Sequence, residues 1–209
     1  MVNWQNYYTH KGHTYGQCAT RSDHDYYYIN IPKNSSSWAG TLLAHWCVWT
    51  RTNYHTHDLS HKTALILLRD PVDRWISGIG EYVSLYHKRF DVELCNDQMI
   101  DWIFDRVAFD DHTERQSLFI DGIDQDRAVF FWCDQNLSAN FTKFLYQSNL
   151  INDTFVMPQR ENVGDQIPLR SQVQNYFHTL VQQRPKLEQK LKSYYAQDYD
   201  LIAHLKFFS

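Results

Sequence analysis

Ala64, Leu65, Ile66, Leu67 and Leu68 form an unbroken apolar run that ends at Arg69-Asp70-Pro71. A strand without alternating polar positions has to be covered on both faces, which is the condition of a parallel strand held between helices. Helical spacing follows at once. Trp75, Ile79, Tyr82, Val83 and Tyr86 recur every three or four residues over 72–87, with Asp70 as N-cap and Pro71 in the first turn. The same order recurs twice. An apolar run over 26–31 precedes a helix over 36–50, carrying Trp38, Leu42, Leu43, Trp46 and Trp49 at helical spacing. Another over 128–132 precedes a helix over 136–145, carrying Leu137, Phe141, Phe144 and Leu145. A short strand over 54–58 and helices over 95–109, 169–183 and 185–207, the last broken near 197, complete the expectation. Residues 1–24 read as an irregular arm and 110–126 as a long polar connection. Alternating strands and helices predict an α/β layered fold with a mainly parallel central sheet flanked by helices, and a ligand at the carboxyl ends of the strands.

Composition narrows the function classes. At 209 residues, with no Pro/Gly/Ser-rich linker or charge block, the chain reads as one domain. A net charge of -4 argues against a surface that holds nucleic acid throughout, so any anion must be bound locally. Cys18, Cys47, Cys95 and Cys133 form no CxxC pair, which indicates neither a zinc site nor a disulfide framework, and no metal is expected. No apolar leader or 18-residue apolar stretch appears, so the expectation is a cytoplasmic protein without a membrane partner. Oligomeric state is left open.

The candidate chemistry lies at the strand ends. After Ile31-Pro32 come Lys33, Asn34, Ser35, Ser36, Ser37 and Trp38, where a helix begins. The first amides of a helix lack internal partners and carry positive potential, so this turn suits phosphate or sulfonate oxygens. Lys33 offers a mobile charge and the three serines offer hydroxyl donors. Arg69, at the end of the second strand, offers a rigid bidentate fork. A Walker A sequence is missing, and with it the glycines that let a backbone wrap a nucleoside triphosphate.

Ile31-Pro32-Lys33-Asn34-Ser35-Ser36-Ser37-Trp38 and Leu67-Leu68-Arg69-Asp70-Pro71-Val72-Asp73-Arg74-Trp75-Ile76-Ser77 together resemble the two nucleotide signatures of sulfotransferases that use 3′-phosphoadenosine 5′-phosphosulfate (PAPS). The resemblance implies a layered fold of the P-loop-NTPase type, PAPS as co-substrate and 3′-phosphoadenosine 5′-phosphate (PAP) as product. It places Lys33, Asn34, Ser35, Ser36, Ser37 and Trp38 around the 5′-phosphosulfate and Arg69 and Ser77 on the 3′-phosphate. Asp111-His112-Thr113-Glu114-Arg115-Gln116-Ser117 resembles the H-x-x-x-Q-S segment of carbohydrate sulfotransferases, which implies acceptor contacts for His112, Arg115 and Gln116. Tyr194-Tyr195-Ala196-Gln197-Asp198-Tyr199 is similar to their Y-x-x-D-Y element, and Arg160 and Asn162 to a late nucleotide-facing segment.

His55 and His57 stand two apart, on one face if residues 54–58 are a strand, and no glutamate occurs between Lys33 and Glu81. They resemble the H-x-H element of uronosyl 2-O-sulfotransferases, which implies His57 as general base with His55 assisting, and a glycan or small-molecule acceptor. Other readings stay open. The serine turn also suits a plain helix cap, Arg69-Asp70-Pro71 a structural turn with the arginine paired to a carboxylate, Trp38 a core position, the two histidines ordinary surface residues, His112, Arg115 and Gln116 a role in fixing the long loop, and Arg74 a solvated or ion-paired helix position. A nucleotide-dependent phosphotransferase and a non-catalytic module for nucleotide or anionic glycan are the rival functions.

Overall fold

The computed structural model describes residues 15–87, 89–152, 154–156 and 167–209, the side chains of residues 46 and 94 excepted. Arg160 and Asn162 lie outside the described residues. The fold is α/β: five strands form one open sheet, and seven α-helices occur among the described residues. The chain gathers into two compact units. In one, described over 15–69, 116–152, 154–156 and 202–209, lies the whole sheet; the other, described over 70–87, 89–115 and 167–201, is helical.

The sheet unit contains β1 (Gln17–Thr20), β2 (Tyr26–Ile29), β3 (Thr50–Asn53), β4 (Thr63–Leu68) and β5 (Ala128–Trp132), in the order β3-β1-β2-β4-β5. β4 is parallel to both of its neighbours, with Tyr28 opposite Leu65 and Leu65 opposite Val129. β1 is antiparallel to both β2 and β3. The sheet is therefore mixed, which corrects the expectation of a mainly parallel one. The correction stems from β1, which lies in the segment expected to be an irregular arm. Its sequence, Gln-Cys-Ala-Thr, has little strand preference of its own, and its place between two partners supplies the pairing. Tyr28, Leu65, Leu67 and Phe131 of the sheet pack with Leu42 and Leu43 of α1 (Ser36–Trp46) and Phe141 and Phe144 of α4 (Leu137–Gln147). β4 is buried from Ala64 to Leu68, as its unbroken apolar run requires.

The helical unit has its own core. α2 (Pro71–Tyr86) starts where expected, the Asp70 carboxylate accepting from the amides of Val72 (2.9 Å) and Asp73 (3.0 Å). Its Trp75, Ile79, Tyr82 and Val83 pack with residues of α3 (Asp97–Arg106), α5 (Pro168–Gln183) and α6 (Pro185–Tyr194). α7 (Ala196–His204) follows. Among the described residues, no helix is long and apolar enough to cross a membrane.

Candidate functional site

The Lys33–serine turn in the sheet unit follows the end of β2. Lys33 (φ 69°) and Ser35 (φ 57°) both occupy the left-handed region, a conformation that costs a non-glycine residue of order 1 kcal/mol or more. Ser35 is the N-cap of α1 but makes no side-chain cap, and among the described residues none of the hydroxyls of Ser35, Ser36 and Ser37 is engaged in a hydrogen bond. The amides of Ser36 and Ser37 belong to the first helical turn, where α-helix geometry provides no internal acceptor. Three serines and the start of a helix dipole thus share a half-exposed turn beside Lys33. Trp38 turns its ring onto Phe141, centroid to centroid 5.7 Å, and so serves the core rather than offering a platform for a base.

Parallel pairing places Arg69 next to this turn. β2 and β4 run in the same direction in adjacent positions, so both leave the sheet at the same edge, about 5 Å apart. Asn34, fully buried, ties the two together: its Nδ2 donates to the Leu67 carbonyl (2.7 Å) and to Gln116 Oε1 (2.6 Å). Gln116 in turn accepts from the Arg69 amide (3.1 Å) and donates through Nε2 to the Arg69 carbonyl (2.8 Å). Among the described residues, no hydrogen bond or ion pair engages the Arg69 guanidinium. Asn34 and Gln116 are wholly enclosed, and their side chains brace the backbone of the two strand ends.

His55 and His57 are exposed on a turn, not on a strand, which corrects the expectation for residues 54–58. Asn53 causes the bend: its Oδ1 accepts from the His55 amide (2.9 Å), and its carbonyl accepts from the amides of Thr56 (3.1 Å) and His57 (3.2 Å). Such an Asx-type turn overrides the alternation that suggested a strand. The His57 ring nitrogen Nδ1 is 2.8 Å from the Thr52 hydroxyl. β3 and β2 end at the same edge of the sheet. Asn53 pairs with Gln17, and Gln17 accepts from Asn30 through its backbone carbonyl (3.0 Å) and its Oε1 (3.1 Å). The histidine turn therefore stands two strands, about 10 Å, from the end of β2.

Both histidines line a cavity of about 630 Å³ with Tyr27, Tyr54, Lys62 and Arg127. Residues 33–37 and Arg69 do not line it. The cations there are engaged: Lys62 donates to the Arg21 (2.9 Å) and His24 (2.5 Å) carbonyls, and Arg127 to those of Ser60 and His61. Burial pushes the Tyr54 phenol up to about 12, and its hydroxyl donates to the Phe119 carbonyl (2.9 Å). Beyond the two histidines no sequence signal pointed to this cavity, because its walls come from three segments far apart in the chain.

The remaining candidates belong to the helical unit. Ser77 is on α2, half-buried. His112 holds Nδ1 2.8 Å from the buried Asp110 carboxylate, which fixes the ring. Arg115 donates to Gln197 Oε1 (2.6 Å) and stacks over Tyr194, while Tyr194 donates to Glu114 (2.6 Å) and Tyr195 to the Thr113 carbonyl. The two late sequence segments singled out for their resemblance thus meet, residue against residue. Arg74, expected to be solvated or ion-paired, is fully buried, donating to the carbonyls of Asp111 (2.9 Å) and Glu114 among buried carboxylates, so the solvated alternative falls away. Compared with known proteins, the chain matches no family model, no curated protein and no solved structure.

Proposed function

We propose that this protein is a PAPS-dependent sulfotransferase, built on a layered fold of the P-loop type, that moves a sulfuryl group to the hydroxyl of a glycan or small-molecule acceptor. The reading is supported most by one observation: the parallel pairing of β2 with β4 puts the Lys33–serine turn and an Arg69 guanidinium without a partner among the described residues on adjoining strand ends. The donor set fits a nucleotide with anionic groups at two positions. Hydroxyls and helix-start amides suit the 5′-phosphosulfate, and the arginine fork suits the 3′-phosphate monoester.

In the transfer, the acceptor oxygen forms a bond to sulfur as the bond from sulfur to the 5′-phosphate oxygen breaks. Lys33 stabilises the charge that develops on that bridging oxygen. The acceptor hydroxyl gives its proton to His57, with His55 beside it. In-line positioning and charge stabilisation carry the reaction, as in phosphoryl transfer.

A second reading, a non-catalytic module that binds the nucleotide, is favoured by the separation of the histidine cavity from residues 33–37. PAP stabilisation without transfer to any acceptor in a broad panel would select it. The decisive experiment compares PAP, adenosine 5′-phosphosulfate and ATP with Mg²⁺ in a thermal melt. PAP at a hundredfold excess over its Kd should raise Tm by roughly 5 °C or more, ahead of the other two. A flat response to all three overturns the proposal, and a preference for Mg-ATP points to a phosphotransferase.

A further inference from the structure

We propose that Gln116 is a positioning residue that locks the Lys33–serine turn and the Arg69 strand end into one rigid anion site; what it does for nucleotide affinity rests on the function proposed above. The chain leaves the sheet unit after Arg69 and re-enters it at Gln116. At that point the Gln116 amide acts as a short piece of strand. Its Oε1 accepts from the Arg69 N–H and its Nε2 donates to the Arg69 C=O, satisfying both backbone groups of one residue. Arg69 lies just past β4; the Leu68 carbonyl faces β5, accepting from the Cys133 amide (2.8 Å), so the Arg69 groups face the other way, where β2 has ended at Ile29 and Gln116 provides the missing pairing.

The same Oε1 accepts from Asn34 Nδ2, which also donates to the Leu67 carbonyl. Asn34 is the residue between the two left-handed positions, Lys33 and Ser35. Strained backbone of this kind persists only when its surroundings over-determine it, and the anchored Asn34 side chain provides that constraint. One buried amide therefore governs both halves of the site: the direction in which Arg69 leaves β4, and the shape of the turn that presents Lys33 and the serines. Both Asn34 and Gln116 are 0% exposed, so neither amide has water as a substitute partner.

The near-isosteric Gln116→Glu supplies a test with a sign. When ionised, the introduced carboxyl group retains the two acceptor roles but has no hydrogen for the Arg69 carbonyl; when protonated, it donates one and restores the set of bonds. Burial raises a carboxyl pKa, which brings this switch toward accessible pH. PAP affinity would be measured by calorimetry at pH 7.5, 6.5 and 5.5 for the wild type, Gln116→Glu and Gln116→Leu, each variant normalised to the wild type at the same pH. Expected are a Kd raised about tenfold or more for Gln116→Glu at pH 7.5, recovery of most of that loss at pH 5.5, and no recovery for Gln116→Leu. A Gln116→Glu protein that binds like the wild type at every pH, or whose loss is the same at pH 5.5, overturns the inference. The Gln116→Glu protein decides alone if Gln116→Leu does not fold.

Hydrogen exchange at the Arg69 amide, measured without ligand and relative to the wild type at each pH, separates this inference from the proposed function. Should the wild type bind no PAP, the functional reading fails. The lock is then upheld by faster Arg69 exchange in both variants with acid reversal only in Gln116→Glu, and overturned by unchanged exchange.

Discussion

The two units bury polar side chains for different ends. In the sheet unit Asn34, Lys62 and Gln116 are buried, and each donates to backbone carbonyls at the ends of strands or in the turns beside them, Asn34 also to Gln116. The Arg69 guanidinium is left without a partner among the described residues. In the helical unit Arg74, Asp110, Asp111, Glu114 and Asp198 are enclosed together, and burial pulls the Arg74 guanidinium below its ordinary pKa. There the charges face one another and the loop over 110–114. A dense polar cluster is thus not in itself a site. What distinguishes the sheet unit is a strained turn whose serine hydroxyls are left to the solvent, beside a cation held in place through its backbone.

This contrast can be broken most directly at Lys33. Lys33→Ala should lower sulfuryl transfer by about a thousandfold, on the scale of losing a central charge-stabilising donor, with the melting temperature little changed. Undiminished turnover in a transfer assay removes the mechanism. Arg74→Met in the helical unit should do the opposite, costing roughly 3–5 kcal/mol in urea unfolding because it strands buried carboxylates without their cation. A loss below about 1 kcal/mol would show that those carboxylates do not depend on it.

Alkaline pH should weaken the sheet unit. Burial raises the Cys18 and Cys47 thiols from 9.0 to about 11, so the folded chain keeps protons that the unfolded chain releases. Their contribution is fully present below pH 9 and is lost as pH rises to about 11, on the order of 2 kcal/mol per thiol. Urea stability followed from pH 8 to 11 should fall more steeply for the wild type than for the Cys18→Ala/Cys47→Ala variant; parallel profiles refute the linkage. A glycine pair sharpens the comparison with the smallest effects. A Cβ at Gly78 in α2 would drive into the His112 carbonyl, so Gly78→Ala should cost about 2 kcal/mol. A Cβ at Gly40 in α1 meets nothing within 4 Å, so Gly40→Ala should stabilise by about 0.5–1 kcal/mol. Equal signs in chemical denaturation would contradict one of the two packings.

Much of the architecture was legible because it is local. The β4 run, the Asp70-Pro71 start of α2 and the β5 run need only their own residues, and all three lie where expected. The α1 start at Ser36 was equally visible; its end was not, since a left-handed Val48 stops the helix at Trp46, short of the expected residue 50. The turn at 54–57 was missed because one Asn53 side chain outweighed an alternating pattern.

In the candidate site, the identity of the polar groups was a property of the sequence alone: a lysine, three serines and an arginine, each next to a strand that its own apolar residues specify. Their arrangement was not. β1 lacks a hydrophobic signature and takes its place only through its two neighbours, so the mixed sheet is a product of pairing. The joining of Asn34 to Gln116 spans 82 residues, and a hydrogen bond of that range exists only once the chain has closed around it. Side-chain chemistry is inherited residue by residue, whereas the direction in which a strand end points is set by groups brought from elsewhere in the fold.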